Sequence, residues 1–217
     1  MSKHSKHTTL GKAVVATIYI ALCVFYFSAM NAPAKLAYPV GWLAVATLCG
    51  GGTPLLILAL VCSALGDIFG TTGQLLPQIG AFAAAQICYL AMMARGSNLK
   101  TTPTRKLIAA ALIPLTLLVV ALIVIIPKAA GVAFLVVATT LYALLIGTMV
   151  FFAGLSDSWT VKVGALLFML SDFMLAISLF ATPISATVYL PPYFLGQILL
   201  WWGLVNRGQK GCCKMQK

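Results

Sequence analysis

Eight apolar runs follow one another along the chain, at approximately 12–30, 36–50, 53–70, 78–94, 106–126, 130–153, 160–181 and 188–206. A helix needs roughly 20 such residues to cross a bilayer. The second run is short, and only Gly50-Gly51-Gly52 divides it from the third. The runs are continuous and lack the alternation of a membrane barrel, so helices must satisfy their backbone polar groups. Hydrophobic residues make up 62% of the 217 and charged residues 8%. A soluble domain carries about 25% charged residues, so the solvent for this chain is lipid. The expected fold is all-α: a polytopic membrane bundle of about eight transmembrane helices in one domain, 12–206. Basic tails, 1–11 and 207–217, flank it. Connections such as "TTGQLLP" and "ATPISAT" are short, so neighbouring helices should be antiparallel.

The net charge of +11 raises the question of nucleic acid, and the distribution answers against it. The cations sit at the ends and loops of the apolar runs, as the positive-inside rule predicts. With the N-terminus in the cytoplasm, that side collects Lys3, Lys6, Lys12, Arg95, Lys100, Arg105, Lys106, Lys162, Arg207, Lys210, Lys214 and Lys217. The other side keeps Lys35 and Lys128. Both termini are therefore expected in the cytoplasm, with an even helix count and contact with anionic membrane lipid. The expected membrane is the inner membrane of a bacterium or the endoplasmic reticulum of a eukaryote. The first apolar stretch, about 18 residues, exceeds the 7–15 of a signal peptide and is read as a retained helix. The residues "NAPA" that follow it resemble a cleavage site.

Cys23, Cys49, Cys62 and Cys88 fall inside apolar runs and read as small core residues. Cys212-Cys213 follows the last run, where a thiol pair can be palmitoylated in a eukaryote or remain free. His4 and His7, the only histidines, lie in the polar tail. That inventory leaves no histidine-ligated metal inside the membrane, and no cofactor is expected.

The three acidic residues are all aspartates. Asp157, in "GLSDSWT", reads as structural: Ser156 or Ser158 as a helix cap, with the carboxylate favouring the positive helix start. Asp67 in "VCSALGDIFG" and Asp172 in "LLFMLSDFMLAISLF" lie within apolar runs. Each costs about 2.5–3.5 kcal/mol on insertion scales. A polar clasp between helices returns only about 0.6 kcal/mol on average. A functional site is the better account of the pair.

Helical spacing gives each acid company. Ser63 precedes Asp67 by one turn and shares its face. Gly164 and Phe168 stand on the face of Asp172, and Ser171 is its sequence neighbour. Phe82, Gln86 and Tyr89 share a face of the fourth helix; Tyr193 and Gln197 share one on the eighth. For each glutamine, an interhelical hydrogen bond and a substrate contact are equally open. The third and fourth helices thus carry an Asp then a Gln, and so do the seventh and eighth. This order suggests two parallel four-helix halves related by an axis along the membrane normal. The Asp-to-Gln separations differ, nineteen and twenty-five residues. Asp67 and Asp172 would lie roughly 20 Å and 18 Å along their helices, facing each other in a pocket toward the outer leaflet.

Two acids in one apolar pocket do not readily both ionise, which leaves one neutral acid and one carboxylate. Such a pair suits hydrolysis through an oxocarbenium-like transition state. It suits a proton relay in a transporter equally well, and a lipid-binding scaffold would keep both acids as clasps. Lys35 would either meet a lipid phosphate or snorkel to the interface.

The segments "SALGD", "GAFAAAQICYL", "GALLFMLSDFMLA" and "PPYFLGQILLWWGLV", in this order, resemble the YhhN-like lysoplasmalogenase family of eight-helix membrane proteins. The resemblance runs from the second helix to the eighth. Members often show Lys-Pro where this chain has Lys35-Leu36, and His where Gln86 stands. The resemblance implies hydrolysis of the vinyl ether bond of lysoplasmalogens, with Asp67 and Asp172 as the catalytic acids and a lysophospholipid as substrate. Lys35, Ser63, Gln86, Tyr89, Ser171, Tyr193 and Gln197 are the expected binding residues.

Overall fold

The computed structural model describes residues 3–28, 33–50, 52–95, 97, 99–124 and 133–215. Eight α-helices are described: α1 (Lys3–Ser28), α2 (Ala37–Cys49), α3 (Pro54–Thr71), α4 (Leu75–Ala94), α5 (Thr104–Val124), α6 (Ala133–Leu155), α7 (Trp159–Phe180) and α8 (Ala186–Met215). A 3-10 helix, Pro33–Leu36, leads directly into α2. No strand occurs among the described residues. Lys128 and Gly51 lie outside them, as do the first two residues of "NAPA" and the side chains of His4, His7, Cys212 and Cys213.

Among the described residues seven helices are long and apolar enough to cross a membrane; α2 is the exception. Its 13 residues reach about 20 Å, short of a hydrocarbon core of about 30 Å. The 3-10 helix adds about 8 Å in front of it. The eight expected helices are all described, seven of them long enough to span and the second as short as its apolar run. At both ends helix continues into the basic tails, from Lys3 and to Met215. Large apolar side chains such as Val24, Leu65, Ile108 and Leu141 face outward, as a lipid-facing surface does.

The breaks between helices have local causes. Pro54 occupies the first turn of α3, where its missing N–H costs nothing. Gly73 turns the chain from α3 to α4 at φ +75°, a conformation that favours glycine. Between α7 and α8, Ser178 Oγ donates to the Ile184 carbonyl at 3.1 Å and accepts from its N–H at 3.0 Å. The expected cap at α7 takes another form. Ser158 holds the N-cap position but makes no side-chain cap bond; its hydroxyl pairs with Thr160 at 2.9 Å. Asp157 instead bridges to Lys106 at 3.3 Å on the exposed surface, because the start of α5 brings that ammonium alongside.

Helix α3 packs along α4, and α7 along α8, more extensively than any other pairs. The α7–α8 contact is close because both faces are bare. A Cβ on Gly196 would lie 2.9 Å from the Gly164 carbonyl oxygen and 2.9 Å from the Phe168 nitrogen. Backbone cannot retreat as a side-chain tip can, and small residues at such crossings permit close approach. Gly196→Ala is expected to lower stability by about 1–3 kcal/mol, read as a lower unfolding temperature in detergent. Gly80→Ala, where a Cβ would meet nothing within 4 Å, should leave it unchanged.

The last helix of each half crosses to the other half: α4 packs on α6, and α8 on α2. Asp67 therefore lies among α1, α3 and α8, and Asp172 among α4, α6 and α7. The pairs α3–α4 and α7–α8 hold matching places in the chain order, as do α4–α6 and α8–α2; the third neighbour differs, α1 at Asp67 and α6 at Asp172.

Candidate active site

Counted from the helix starts, the acids occupy one register. Asp67 stands thirteen residues after Pro54, and Asp172 thirteen after Trp159. Gln86 stands eleven after Leu75, and Gln197 eleven after Ala186. The unequal Asp-to-Gln separations arise because α7 and the connection after it are longer than their counterparts. One turn before each glutamine the halves diverge: Phe82 stands on α4 and Tyr193 on α8.

That difference decides the surroundings of each acid. On the Asp67 side the Tyr193 hydroxyl donates to Asp67 Oδ2 at 2.9 Å. Gln197 Nε2 donates to the Tyr193 oxygen at 3.3 Å, and the Tyr89 hydroxyl donates to Gln197 Oε1 at 2.9 Å. All four side chains are buried, Asp67 at 2% exposure. Tyr19, Tyr26 and Phe194 pack edge-to-face around this group, and the Tyr19 hydroxyl donates to the Phe194 carbonyl at 2.8 Å. Polar groups buried this way hold their geometry because no water competes for them.

On the other side Phe82 brings a ring edge and no hydroxyl. It packs on Phe168 and Tyr193, with centroids 6.3 Å and 6.1 Å away, and fills the space a Cβ on Gly66 would need. Its outer face lines a cavity of about 100 Å³ bounded by α4, α5, α6 and α7. Asp172 is the one acidic group in that lining. Its Oδ2 accepts a hydrogen bond from the Tyr142 hydroxyl on α6. The remaining walls are mostly aliphatic and aromatic, among them Leu118, Ile146, Met169 and Phe173. Thr140, also on the wall, turns its hydroxyl back to the Val136 carbonyl at 2.7 Å. The cavity lies in the half of the bundle that holds the α3–α4 and α7–α8 turns, since its walls are the start of α4 and the end of α7.

The two acids are near enough for their charges to interact. They do not share one open pocket as the sequence suggested: Asp172 reaches the cavity, and Asp67 stays sealed in its own helix contacts. Tyr193, Gln197 and Tyr89 join Asp67 as a chain of hydrogen bonds. Ser63 is buried beside the Tyr89 hydroxyl, and Gln86 is buried beside that of Tyr142. Ser171 turns away from the acids; its hydroxyl donates to the Tyr189 carbonyl at 2.7 Å and pins α7 to α8. Lys35 also stands apart from the cavity, with its ammonium 5.0 Å from the Phe25 ring centroid on the α1 side. Tyr142 was not among the expected residues. A tyrosine in the aliphatic run "TTLYALLIG" was its one trace in the sequence, since a buried phenol needs a partner.

Among the described residues no three His, Cys, Asp or Glu side chains gather as a metal site would require. The arrangement instead offers one carboxyl group at the wall of an apolar cavity, steadied by a phenol, with a second carboxyl group close behind. A family model described as the YhhN family matches residues 36–204. No curated protein and no solved structure matches the chain.

Proposed function

The chain belongs to the YhhN family, and on that premise we propose that it is an intramembrane hydrolase of lysoplasmalogens. It cleaves the vinyl ether bond and releases a fatty aldehyde with glycerophosphoethanolamine or glycerophosphocholine. The observation that carries this reading is Asp172, a lone carboxyl group in the wall of an apolar cavity.

The chemistry needs little more. The Asp172 carboxyl proton passes to the vinyl carbon remote from the ether oxygen, and the π electrons form the new C–H bond. The adjoining carbon and the ether oxygen then share a positive charge. The Asp172 carboxylate left behind keeps the Tyr142 hydrogen bond, and Asp67 adds its negative charge through the protein interior. Water adds to the cationic carbon and returns a proton to Asp172. The hemiacetal collapses: its C–O bond to glycerol breaks, the glycerol oxygen takes a proton, and the hydroxyl loses one to become the aldehyde. Tyr193, Gln197 and Tyr89 fix Asp67 in place with Ser63 packed beside Tyr89, and Gln86 packs beside Tyr142 on the Asp172 side. Lys35 serves at the membrane interface, apart from the reacting bond.

The test is aldehyde release from lysoplasmalogen by the purified protein in detergent, followed through a coupled alcohol dehydrogenase. Release is expected with at least one of the two headgroups. Folded protein that releases nothing from either would overturn the hydrolase reading.

A further inference from the structure

Each half of the bundle holds a glutamine and an aspartate in equivalent register, and in each a tyrosine hydroxyl donates to the aspartate. In the Asp67 half the set is complete: Gln197 donates to Tyr193, which donates to Asp67. In the Asp172 half Phe82 stands where Tyr193 would be, and Tyr142 supplies the hydroxyl from a different helix. The amide of Gln86 is fully buried beside it. The amide lies within interaction range of the Tyr142 hydroxyl, yet neither Gln86 Nε2 nor Oε1 makes a hydrogen bond of proper distance and angle among the described residues. An unpaired buried amide is costly, and such a group calls for a specific explanation.

We propose that Gln86, Tyr142 and Asp172 form a second Gln–Tyr–Asp relay, whose Gln86–Tyr142 link closes when a ligand's alkyl segment fills the cavity. Tyr142 lines that cavity as well as holding Asp172, so an occupant touches the ring whose hydroxyl stands beside Gln86 and can bring the two into hydrogen-bond geometry. The Gln86 N–H then donates to the phenolic oxygen. A phenol that accepts a hydrogen bond becomes a stronger donor, and so holds the Asp172 carboxylate better after its proton has left. In hydrolysis, and resting on the function proposed above, Tyr142 and Gln86 are positioning residues that act through Asp172. The apolar cavity can fill before the reaction starts, so substrate affinity should not depend on the link.

The experiment has two arms. In the first, Tyr142→Phe and Gln86→Leu are assayed for aldehyde release, alone and combined. The relay predicts kcat lower by about 10- to 100-fold in Tyr142→Phe and by about 10-fold in Gln86→Leu, with KM within about twofold. The double variant should be no slower than Tyr142→Phe, because Gln86 acts only through the phenol. Independent, multiplying losses, or full activity in Gln86→Leu, would overturn the relay. The second arm needs no turnover. Fluorotyrosine replaces Tyr142, and its fluorine resonance is followed while a saturated alkyl-ether lysolipid is added. The relay predicts a shift with the wild-type glutamine that is absent in Gln86→Leu. A resonance that ignores the lipid, or moves equally in Gln86→Leu, sinks the relay. Wild-type protein that releases no aldehyde but shows the glutamine-dependent shift would remove the hydrolase reading and leave the relay standing.

Discussion

Asp172→Asn should abolish aldehyde release almost completely, lowering kcat by about 10²–10⁴. The substitution keeps the shape of the side chain and an oxygen to accept the Tyr142 hydrogen bond. What it removes is the proton donor at the cavity wall, and no other carboxyl group lines the cavity to replace it. KM should change by no more than about twofold, since the apolar walls that hold the substrate are untouched. The unfolding temperature should stay near the wild-type value, because a neutral amide replaces a protonated carboxyl group of the same shape. Activity retained to within about tenfold would show that the proton comes from elsewhere.

Asp67→Asn tests a different contribution. Asp67 is sealed from the cavity and touches no substrate, so its effect on the reaction must travel through its charge. The amide still accepts from Tyr193, and the bundle should fold as before. A fall in kcat of about 10²–10³ is expected, comparable to losing one preorganised electrostatic contact. Asp67→Leu separates charge from packing. It strands the Tyr193 hydroxyl beside Gln197 and should add about 1–3 kcal/mol of destabilisation, seen as a lower unfolding temperature than that of Asp67→Asn. If Asp67→Asn works at the wild-type rate, Asp67 is a clasp between α3 and α8 and nothing more.

Much of the fold was legible because each apolar run ends in residues that cannot extend it. The third and seventh runs, 53–70 and 160–181, fall within one residue of α3 and α7. Hydropathy marks the membrane, however, and helix is a wider category. The helical backbone of α1 and α8 continues through basic residues on either side of the apolar stretch. Pro77 made the fourth run look as though it began at 78. The helix starts at Leu75, since the N–H groups of a first turn have no helical acceptor to lose.

The site was legible in part for a related reason. Asp67, Asp172, Gln86 and Gln197 are conspicuous wherever apolar residues surround them, and their order suggests two halves. Their common register did not show, because the extra residues lie past Asp172, in the end of α7 and the connection to α8. Ser171 looked like a companion of its neighbour Asp172, but its hydroxyl is committed to the Tyr189 carbonyl. Tyr142 stayed hidden because its partners sit on α4 and α7, and nothing on its own helix face announces them.

The cavity beside Asp172 has a consequence set by its size. At about 100 Å³ it is smaller than the engineered protein cavity of about 150 Å³ that holds one benzene. A long alkyl chain cannot be enclosed there, so a lipid that presents a bond to Asp172 keeps most of its tail among its neighbours in the bilayer. Affinity for such a molecule is then a partition between two lipid-like surroundings. The order and thickness of the host membrane enter it as directly as any side chain does. Detergent micelles and membranes of different thickness should accordingly rank the same ligands differently, with no change in the protein.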